Sequence, residues 1–131
     1  MIIIIGGGAA GIGVGVLLKK MGVEEFLIIE KEEVGASFLK WAEETRFITP
    51  SFTGHGFGLL DLNAVFPNSS PAYTWGTEHL TGKMYARYLK DISAYFELPV
   101  LEKKEAGELA GKQVVTSIGS TILLSLTLLL F

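Results

Sequence analysis

The hydrophobic pattern at the start of the chain predicts one strand–helix–strand unit. A continuous apolar run at residues 2–5 lacks polar alternation, which is typical of a strand buried on both faces of a parallel sheet. Residues 10–21 then show helical spacing and lead into Gly22, a common helix end. The residues predicted on the core side of this helix are Ile12, Val16 and Leu17. A second buried strand follows at residues 26–29, so the predicted fold class is α/β with a parallel sheet.

The regular alternation stops after the second strand. Residues 31–77 hold Gly, Pro, Ser, Asn and many aromatics without a long helical period, and loops of this length in compact domains are usually functional. A second helix is predicted at residues 82–97 with Thr81 as its N-cap, followed by a short strand at residues 100–101. The side chains predicted on its buried face are Met84, Tyr85, Tyr88, Leu89, Ile92, Tyr95 and Phe96.

The final segment, residues 113–131, carries no charged side chain. Within it, residues 118–121 predict a two-residue hairpin turn between two strands. A membrane helix is the alternative, but the segment is barely long enough to cross a bilayer. Its Ser, Thr, Gly and β-branched residues also make it a poorer membrane helix. We therefore predict a C-terminal β-hairpin or meander within a single domain that spans residues 1–131.

Composition restricts the chemistry that the chain itself can supply. A net charge of −3 argues against a nucleic-acid binder, whose binding face would be basic. With no cysteine and two histidines in 131 residues, a thiolate metal site and a redox cysteine pair are excluded, and a histidine metal centre is disfavoured. Any redox chemistry must therefore come from a bound cofactor. The apolar start lacks a basic leader and is interrupted by glycines, which favours a cytoplasmic protein over a secreted one.

Glycines at positions 6, 8 and 11 form a Gly-x-Gly-x-x-Gly motif between the first strand and the first helix. In such a motif Gly6 permits the tight turn, Gly8 lets a diphosphate approach the backbone, and Gly11 lets the helix pack close to the sheet. The helix N-terminus then offers N–H groups to the pyrophosphate. The motif alone is weak evidence, and a glycine-rich turn without a ligand is the simpler reading.

Glu30 strengthens the nucleotide hypothesis because it stands at the end of the second strand, nineteen residues after Gly11. A carboxylate there can accept hydrogen bonds from both ribose hydroxyls of an adenosine, and it would repel a 2′-phosphate. NADP is therefore disfavoured, while NAD and FAD remain. The long aromatic loop at residues 31–77 favours FAD, since it could enclose a large planar ring.

Several segments of the chain together resemble a known family. These are the glycine motif, "EKEEVGASFLKW", "RFITPSF", "GFGLLDLNA", "SPAYTW" and "EHLTGKMYARYL". They are similar to bacterial flavin-containing monooxygenase-like proteins, within the two-dinucleotide-binding flavoprotein superfamily. The resemblance runs from residue 1 to about residue 100 and continues loosely through "VVTSI". It implies a Rossmann-like FAD-binding domain.

The resemblance also implies site residues along the cofactor. Those matching the pyrophosphate site are Gly6, Gly8, Ala9, Ala10 and Gly11. Those matching the adenosine ribose site are Glu30 and Lys31. Those matching the segment that runs towards the flavin are Gly35, Ser37, Phe38 and Trp41, and those close to the isoalloxazine ring are Thr49, Pro50 and Ser51. Val114 or Val115 matches a strand whose backbone commonly touches adenine.

The implied activity is that of a flavin-dependent, monooxygenase-like oxidoreductase, in which NADPH reduces the flavin in the complete enzyme. A second glycine motif and the segment that closes the FAD site are not found in these residues, so we expect an incomplete site and self-association through the apolar C-terminal strands. The substrate and the catalytic residues are not specified. A small NAD- or ADP-binding regulatory protein and a non-enzymatic remnant are the alternatives.

Simpler interpretations apply to the polar residues and aromatics outside these assignments. Asp61 is expected to be a turn residue, and His79 a capping or surface residue. His55 lies between two glycines, which suggests an exposed loop. Each aromatic side chain of the loop, Trp41 among them, is more often a core residue than a cofactor contact.

Overall fold

The computed structural model describes residues 1–52 and 60–104, and it describes residues 122–125 by their backbone. The strands are β1 (Ile2–Ile5), β2 (Phe26–Ile29), β3 (Val100–Leu101) and β4 (Ile122–Ser125). The helices are α1 (Ala9–Lys20), α2 (Ala36–Leu39), α3 (Pro71–Trp75) and α4 (Gly82–Tyr95). The four strands form one sheet in the order β3-β2-β1-β4.

All neighbouring strands of this sheet run parallel. Ile2 of β1 is aligned with Phe26 of β2 on one side and with Ile122 of β4 on the other. Ile28 of β2 is aligned with Val100 of β3. The parallel sheet predicted from the unbroken apolar runs is therefore confirmed, because strands covered on both faces have no solvated side on which to place polar residues.

Helix α1 packs on the sheet through its small residues. A Cβ atom on Gly15 would stand 2.8 Å from Cδ1 of Ile28, so the helix backbone lies close against β2. Ile12 and Val16 are buried as predicted. The prediction for Leu17 was wrong, because its side chain is 56% exposed. Residues one position apart on a helix point about 100° apart, so Leu17 turns away from the face that Val16 shares with Ile12.

Helix α4 covers the core with Tyr85, Tyr88, Leu89 and Ile92, as its spacing predicted. The hydroxyl oxygen of Thr81 accepts a hydrogen bond from the backbone N–H of Met84 at 3.2 Å, which confirms the predicted N-cap. The prediction that Tyr95 lies on the buried face was wrong.

The ring of Tyr95 is 78% exposed because its neighbour Phe96 takes the inward position. The ring centroids of Phe96 and Phe66 lie 4.9 Å apart.

The long loop predicted at residues 31–77 contains the two short helices α2 and α3 in its described parts. Both are too short to show a helical period in the sequence. The predicted hairpin turn at residues 118–121 lies outside the described residues, and β4 beyond it joins the sheet parallel to β1. Among the helices in the described ranges, none combines the length and apolarity needed to cross a membrane.

Candidate functional site: a crevice at the end of β1

The sheet topology places a crevice at the carboxyl end of β1. From β1 the chain passes through α1 to β2 on one side, whereas β4 lies on the other side. The strand order therefore reverses at β1. In open α/β sheets, ligands bind outside the carboxyl ends of the strands at such a reversal. The glycine turn at residues 6–8 follows β1 directly and so lies at this point.

The motif glycines have the geometry that their predicted roles require. Gly6 has φ +104°, a backbone conformation that side chains with a Cβ rarely adopt. A Cβ on Gly11 would lie 1.9 Å from the carbonyl oxygen of Gly6, so only glycine lets the helix start this close to the turn. A Cβ on Gly8 would meet no atom of the described chain within 4 Å, because it would point into the crevice.

The start of α1 is open to an anion. Its first intrahelical hydrogen bond joins the N–H of Ile12 to the carbonyl oxygen of Gly8 at 3.0 Å. The preceding N–H groups of Ala9, Ala10 and Gly11 point out of the helix end, and the N-cap Gly8 brings no side chain to accept from them. Backbone N–H groups in this arrangement, with the positive end of the helix dipole, bind phosphate groups.

A cavity of about 450 Å³ extends from this helix end along the carboxyl end of β2. This volume falls in the range of small-molecule sites, about 300–1,000 Å³. The predicted site residues that line it are Gly6, Gly8, Ala9, Ala10, Gly11, Glu30, Lys31, Ser37 and Phe38. The lining residues that sequence reasoning missed are Ile5, Glu32, Ala36 and Lys40.

The carboxylate of Glu30 joins the glycine turn to the end of β2. Its Oε2 atom accepts a hydrogen bond from the N–H of Gly7 at 2.6 Å, and its Oε1 atom accepts one from the N–H of Glu32 at 2.8 Å. These bonds orient the carboxylate at the cavity wall. Each oxygen retains a further lone pair, so the group can still accept hydrogen bonds from a ligand.

Gly35 supports the site from behind without lining the cavity. It has φ +77°, and its N–H donates to the carbonyl oxygen of Gly7 at 3.0 Å. A Cβ at this position would lie 2.8 Å from Cα of Ala86 in α4. The glycine therefore connects the turn after β1 with α4 at a close approach of the two segments.

Trp41 lies outside the cavity, in an aromatic cluster. Its ring centroid is 5.4 Å from that of Phe38 and 5.1 Å from that of Phe47. The ring of Phe47 in turn lies 4.7 Å from that of Tyr85 on α4. The core interpretation of Trp41 is therefore the one that its contacts support, while Phe38 belongs to both the cluster and the cavity wall.

Thr49, Pro50 and Ser51 do not line this cavity either. Thr49 and Pro50 are exposed, whereas Ser51 is fully buried. The Ser51 hydroxyl donates to Oδ2 of Asp61. Val114 and Val115 lie outside the described residues.

Asp61 is more than the turn residue expected from the sequence. Its Oδ1 atom accepts from the N–H of Asn63 at 2.9 Å, as in an Asx-turn, but its side chain is buried and also bonds Ser51 and Ser70. No local pattern indicates this cluster, because its members lie apart along the chain.

The phenol groups of α4 lie near this cluster. The hydroxyl of Tyr85 donates to the carbonyl oxygen of Asn63 at 2.7 Å. Burial raises the pKa of the Tyr85 phenol above its ordinary value, and the neighbouring Tyr88 and Asp61 add to the rise. Burial also raises the pKa of Tyr88, although hydrogen bonds with Ser69 and with the N–H of Val65 counteract it. Both phenols therefore remain protonated in the folded chain well above neutral pH.

Comparison with known proteins shows the family of this chain. Residues 3–121 match the family described as pyridine nucleotide-disulphide oxidoreductase. The chain belongs to this family. The match confirms that the chain resembles the N-terminal part of two-dinucleotide-binding flavoproteins.

Solved structures with the same fold include bacillithiol disulfide reductase from Staphylococcus aureus, with a TM-score of 0.62 at 21% identity over 79% of this chain. They also include a mutant flavin monooxygenase from Stenotrophomonas maltophilia, with a TM-score of 0.58 at 19% identity over 78% of this chain. Bacillithiol disulfide reductase from Bacillus cereus gives a TM-score of 0.56 at 18% identity over 82% of this chain. The chain spans 28%, 27% and 31% of these proteins, respectively. These likenesses confirm the Rossmann-like fold.

Proposed function

We propose that this chain is the FAD-binding portion of a flavin-dependent oxidoreductase that uses NAD(P)H as its hydride donor. The observation that carries the proposal is the cavity at the strand-order reversal, where the start of α1 and the Glu30 carboxylate both line the same wall. The family match of residues 3–121 supports an oxidoreductase. The fold likeness to a flavin monooxygenase supports the choice of a flavin.

The residues of the cavity fit the adenosine diphosphate part of FAD. The open space beside Gly8 suits a pyrophosphate, which the N–H groups of Ala9, Ala10 and Gly11 would bind. Glu30 would accept hydrogen bonds from the ribose hydroxyls, with Lys31 next to it. Ser37 and Phe38 would line the path towards the flavin ring, close to which we place Thr49, Pro50 and Ser51. When bound, FAD supplies hydride and electron transfer, while the protein binds and orients it.

Within this class we propose a monooxygenase-like enzyme. The segments "VGASFLKW" and "RFITPSF" carry the resemblance to that group. A disulfide reductase is the second candidate, favoured by the fold likeness to two bacillithiol disulfide reductases. Reducing the flavin of the FAD-loaded protein chemically, and comparing oxygen with a low-molecular-weight disulfide as the electron acceptor that reoxidises it, separates the two.

A protein that binds NAD or ADP without redox chemistry is the alternative outside the flavoproteins. It would use the same glycine turn and the same Glu30, and the cavity of about 450 Å³ is large enough for the adenosine diphosphate part alone. Such a protein would be colourless, and it would be stabilised against heat by NAD and ADP but not further by FAD.

The visible absorption spectrum of the purified chain, recorded before and after FAD is added, tests the proposal. We expect the added FAD to show the spectrum of protein-bound flavin, and denaturation to return the spectrum of free FAD. A colourless protein whose melting temperature rises with ADP but not with FAD would contradict it.

A further inference from the structure

Asp61 is the centre of a buried hydrogen-bonded cluster with Ser51, Asn63 and Ser70, which we call the Asp61 hub. Neither the sequence nor the cofactor site explains this cluster. The side chain of Asp61 is 4% exposed. Oδ2 accepts from the hydroxyl of Ser51 and, at 2.6 Å, from the hydroxyl of Ser70, while Oδ1 accepts from the N–H of Asn63 at 2.9 Å. Ser70 and Asn63 are also buried. An aspartate that only formed a turn could leave its carboxylate in water, so the burial needs another reason.

The hub holds the backbone of residues 49–51 from two sides. The side-chain amide of Asn63 donates to the carbonyl oxygen of Thr49 at 2.9 Å, and Ser51 is bound through its hydroxyl to Asp61. On the opposite side, the N–H of Ser51 donates to the carbonyl oxygen of Glu78 at 2.8 Å. Residues 49–51 are therefore fixed by the hub and by the segment that leads into α4.

The hub is itself anchored to the core. The hydroxyl of Tyr85 on α4 donates to the carbonyl oxygen of Asn63 at 2.7 Å. The groups that donate to Asp61 are neutral, and hydrogen bonds to a buried charged acceptor are stronger and more directional than neutral ones. Loss of one such donor would leave the carboxylate under-solvated. This energetic cost favours the arrangement of the surrounding loops in which every donor is in place.

We propose that Asp61 is a positioning residue, which fixes residues 49–51 through Ser51 and Asn63 and thereby sets the environment of the flavin ring. The fixing of residues 49–51, the first half of the proposal, concerns the chain alone. The effect on the flavin ring, the second half, rests on the proposed function, in which Thr49, Pro50 and Ser51 lie beside the isoalloxazine ring. Separate measurements without and with cofactor distinguish the two halves.

Ser51 and Ser70 provide a matched pair of variants. Each donates one hydroxyl to the same oxygen of Asp61, and each is almost fully buried, so Ser51→Ala and Ser70→Ala remove chemically equivalent bonds. Only Ser51 belongs to the segment that the hub is proposed to fix. Hydrogen exchange of the amide of residue 51, whose N–H donates to the carbonyl oxygen of Glu78 at 2.8 Å, should accelerate about tenfold in Ser51→Ala when measured without cofactor, the equivalent of one lost hydrogen bond. Ser70→Ala should change it less than threefold.

Asp61→Asn keeps the size of the side chain and replaces one acceptor oxygen with a donor. We expect it to accelerate exchange of the Ser51 amide as Ser51→Ala does. Equal acceleration in Ser51→Ala and Ser70→Ala, or unchanged exchange in Asp61→Asn, would overturn the positioning role. If Asp61→Asn does not fold, the serine pair still decides the question, since each of its members keeps the carboxylate.

The flavin environment is read from the fluorescence and visible circular dichroism of bound FAD. We expect Ser51→Ala to change both signals, and Ser70→Ala to leave them as in the wild type at a similar loss of stability. Indistinguishable flavin spectra in the two variants would overturn the second half of the proposal. If the wild type binds no FAD, the proposed function and this second half fail together, while the exchange experiment still tests the first half.

Discussion

Glu30 is the residue whose side chain connects the glycine turn with the second strand. Its two carboxylate oxygens accept from the N–H groups of Gly7 and Glu32, so the charge at the cavity wall is oriented by the backbone. Hydroxyl groups of a ligand can donate hydrogen bonds to this carboxylate, which is already oriented to accept them. A phosphate group at the same point would be repelled by the negative charge of the carboxylate.

Replacing Glu30 with Gln should therefore weaken nucleotide binding and relax its selectivity. The amide group cannot accept with both of its atoms, so one of the two backbone N–H groups loses its acceptor. We expect the affinity for ADP to fall about tenfold, and the preference for ADP over its 2′-phosphorylated analogue to shrink. Isothermal titration with both nucleotides measures this.

Glu32→Gln is the matched control for that substitution, because Glu32 lines the same cavity and forms its ion pair with Lys40 at the surface. We expect it to change the affinity for ADP less than twofold. An equal loss in the two variants would show that the loss of affinity does not arise from the hydrogen bonds of the Glu30 carboxylate itself.

Among the elements, the close packing of α2 against α4 positions the side of the cavity that α2 lines. The two helices meet at Gly35 and Gly82, where added Cβ atoms would stand 2.8 Å from Cα of Ala86 and 2.1 Å from the carbonyl oxygen of Phe38. Phe38 and its neighbours on α2 line the cavity. The small residues of the "VGAS" and "LTGK" segments thus hold one wall of the site against the core helix.

Gly35→Ala should destabilise the fold more than Gly76→Ala. Both glycines have positive φ, +77° and +63°, so each alanine incurs backbone strain of about 1–2 kcal/mol. Only at Gly35 would the methyl group also collide with Ala86, and overpacking adds about 1–3 kcal/mol. Urea unfolding of the two variants tests this difference, and equal losses of stability would contradict the described packing.

At the scale of the whole molecule, the buried tyrosines of α4 make stability depend on alkaline pH. Burial raises the pKa of Tyr85 above its ordinary value of 10.0. Above pH 10 the unfolded chain therefore loses a phenolic proton that the folded chain retains. The unfolded state then binds fewer protons, so the free energy of unfolding falls as pH rises, by up to about 1.4 kcal/mol per pH unit for each such group.

Tyr85→Phe should reduce this dependence. We expect it to be less stable than the wild type at pH 8, where the hydrogen bond to Asn63 is lost, and to lose less stability between pH 10 and pH 11. Urea unfolding at each pH measures the difference. Tyr73→Phe makes the same chemical change on an exposed ring and controls for it. Parallel pH profiles for the wild type and Tyr85→Phe would contradict the prediction.

The parts of the molecule that the sequence predicted are those set by local spacing. The strand–helix–strand pattern predicted which residues meet at the cavity, because these residues stand at fixed sequence distances around one turn. They are Gly6, Gly8, Gly11 and Glu30. Leu17 and Tyr95 were misplaced because helical spacing indicates which residues share a face, but not how far the core extends along or around the helix.

The Asp61 hub could not be predicted for a different reason. Its contacts join residues 9 and 10 positions apart through a loop whose composition only indicates turns. Burial of these polar side chains depends on the packing of that loop against α4, which no local pattern encodes. Lys40 and Glu32 were missed at the cavity because charged side chains near a turn are usually solvated.

The central claim is that FAD binds at the glycine turn, and an FAD titration of three proteins tests it most directly. They are the wild type, Gly8→Val and Gly13→Ala. A Cβ added at Gly8, the N-cap of α1, meets no atom of the described chain within 4 Å, and at Gly13 within α1 a methyl group meets Val65 at an ordinary 3.7 Å.

We predict similar FAD affinity for the wild type and Gly13→Ala, and at least a tenfold loss of affinity in Gly8→Val at a temperature where all three proteins are folded. Valine is a poorer N-cap than glycine, so the melting temperature of Gly8→Val should also be somewhat lower. FAD binding by Gly8→Val as tight as that of the wild type would contradict the account.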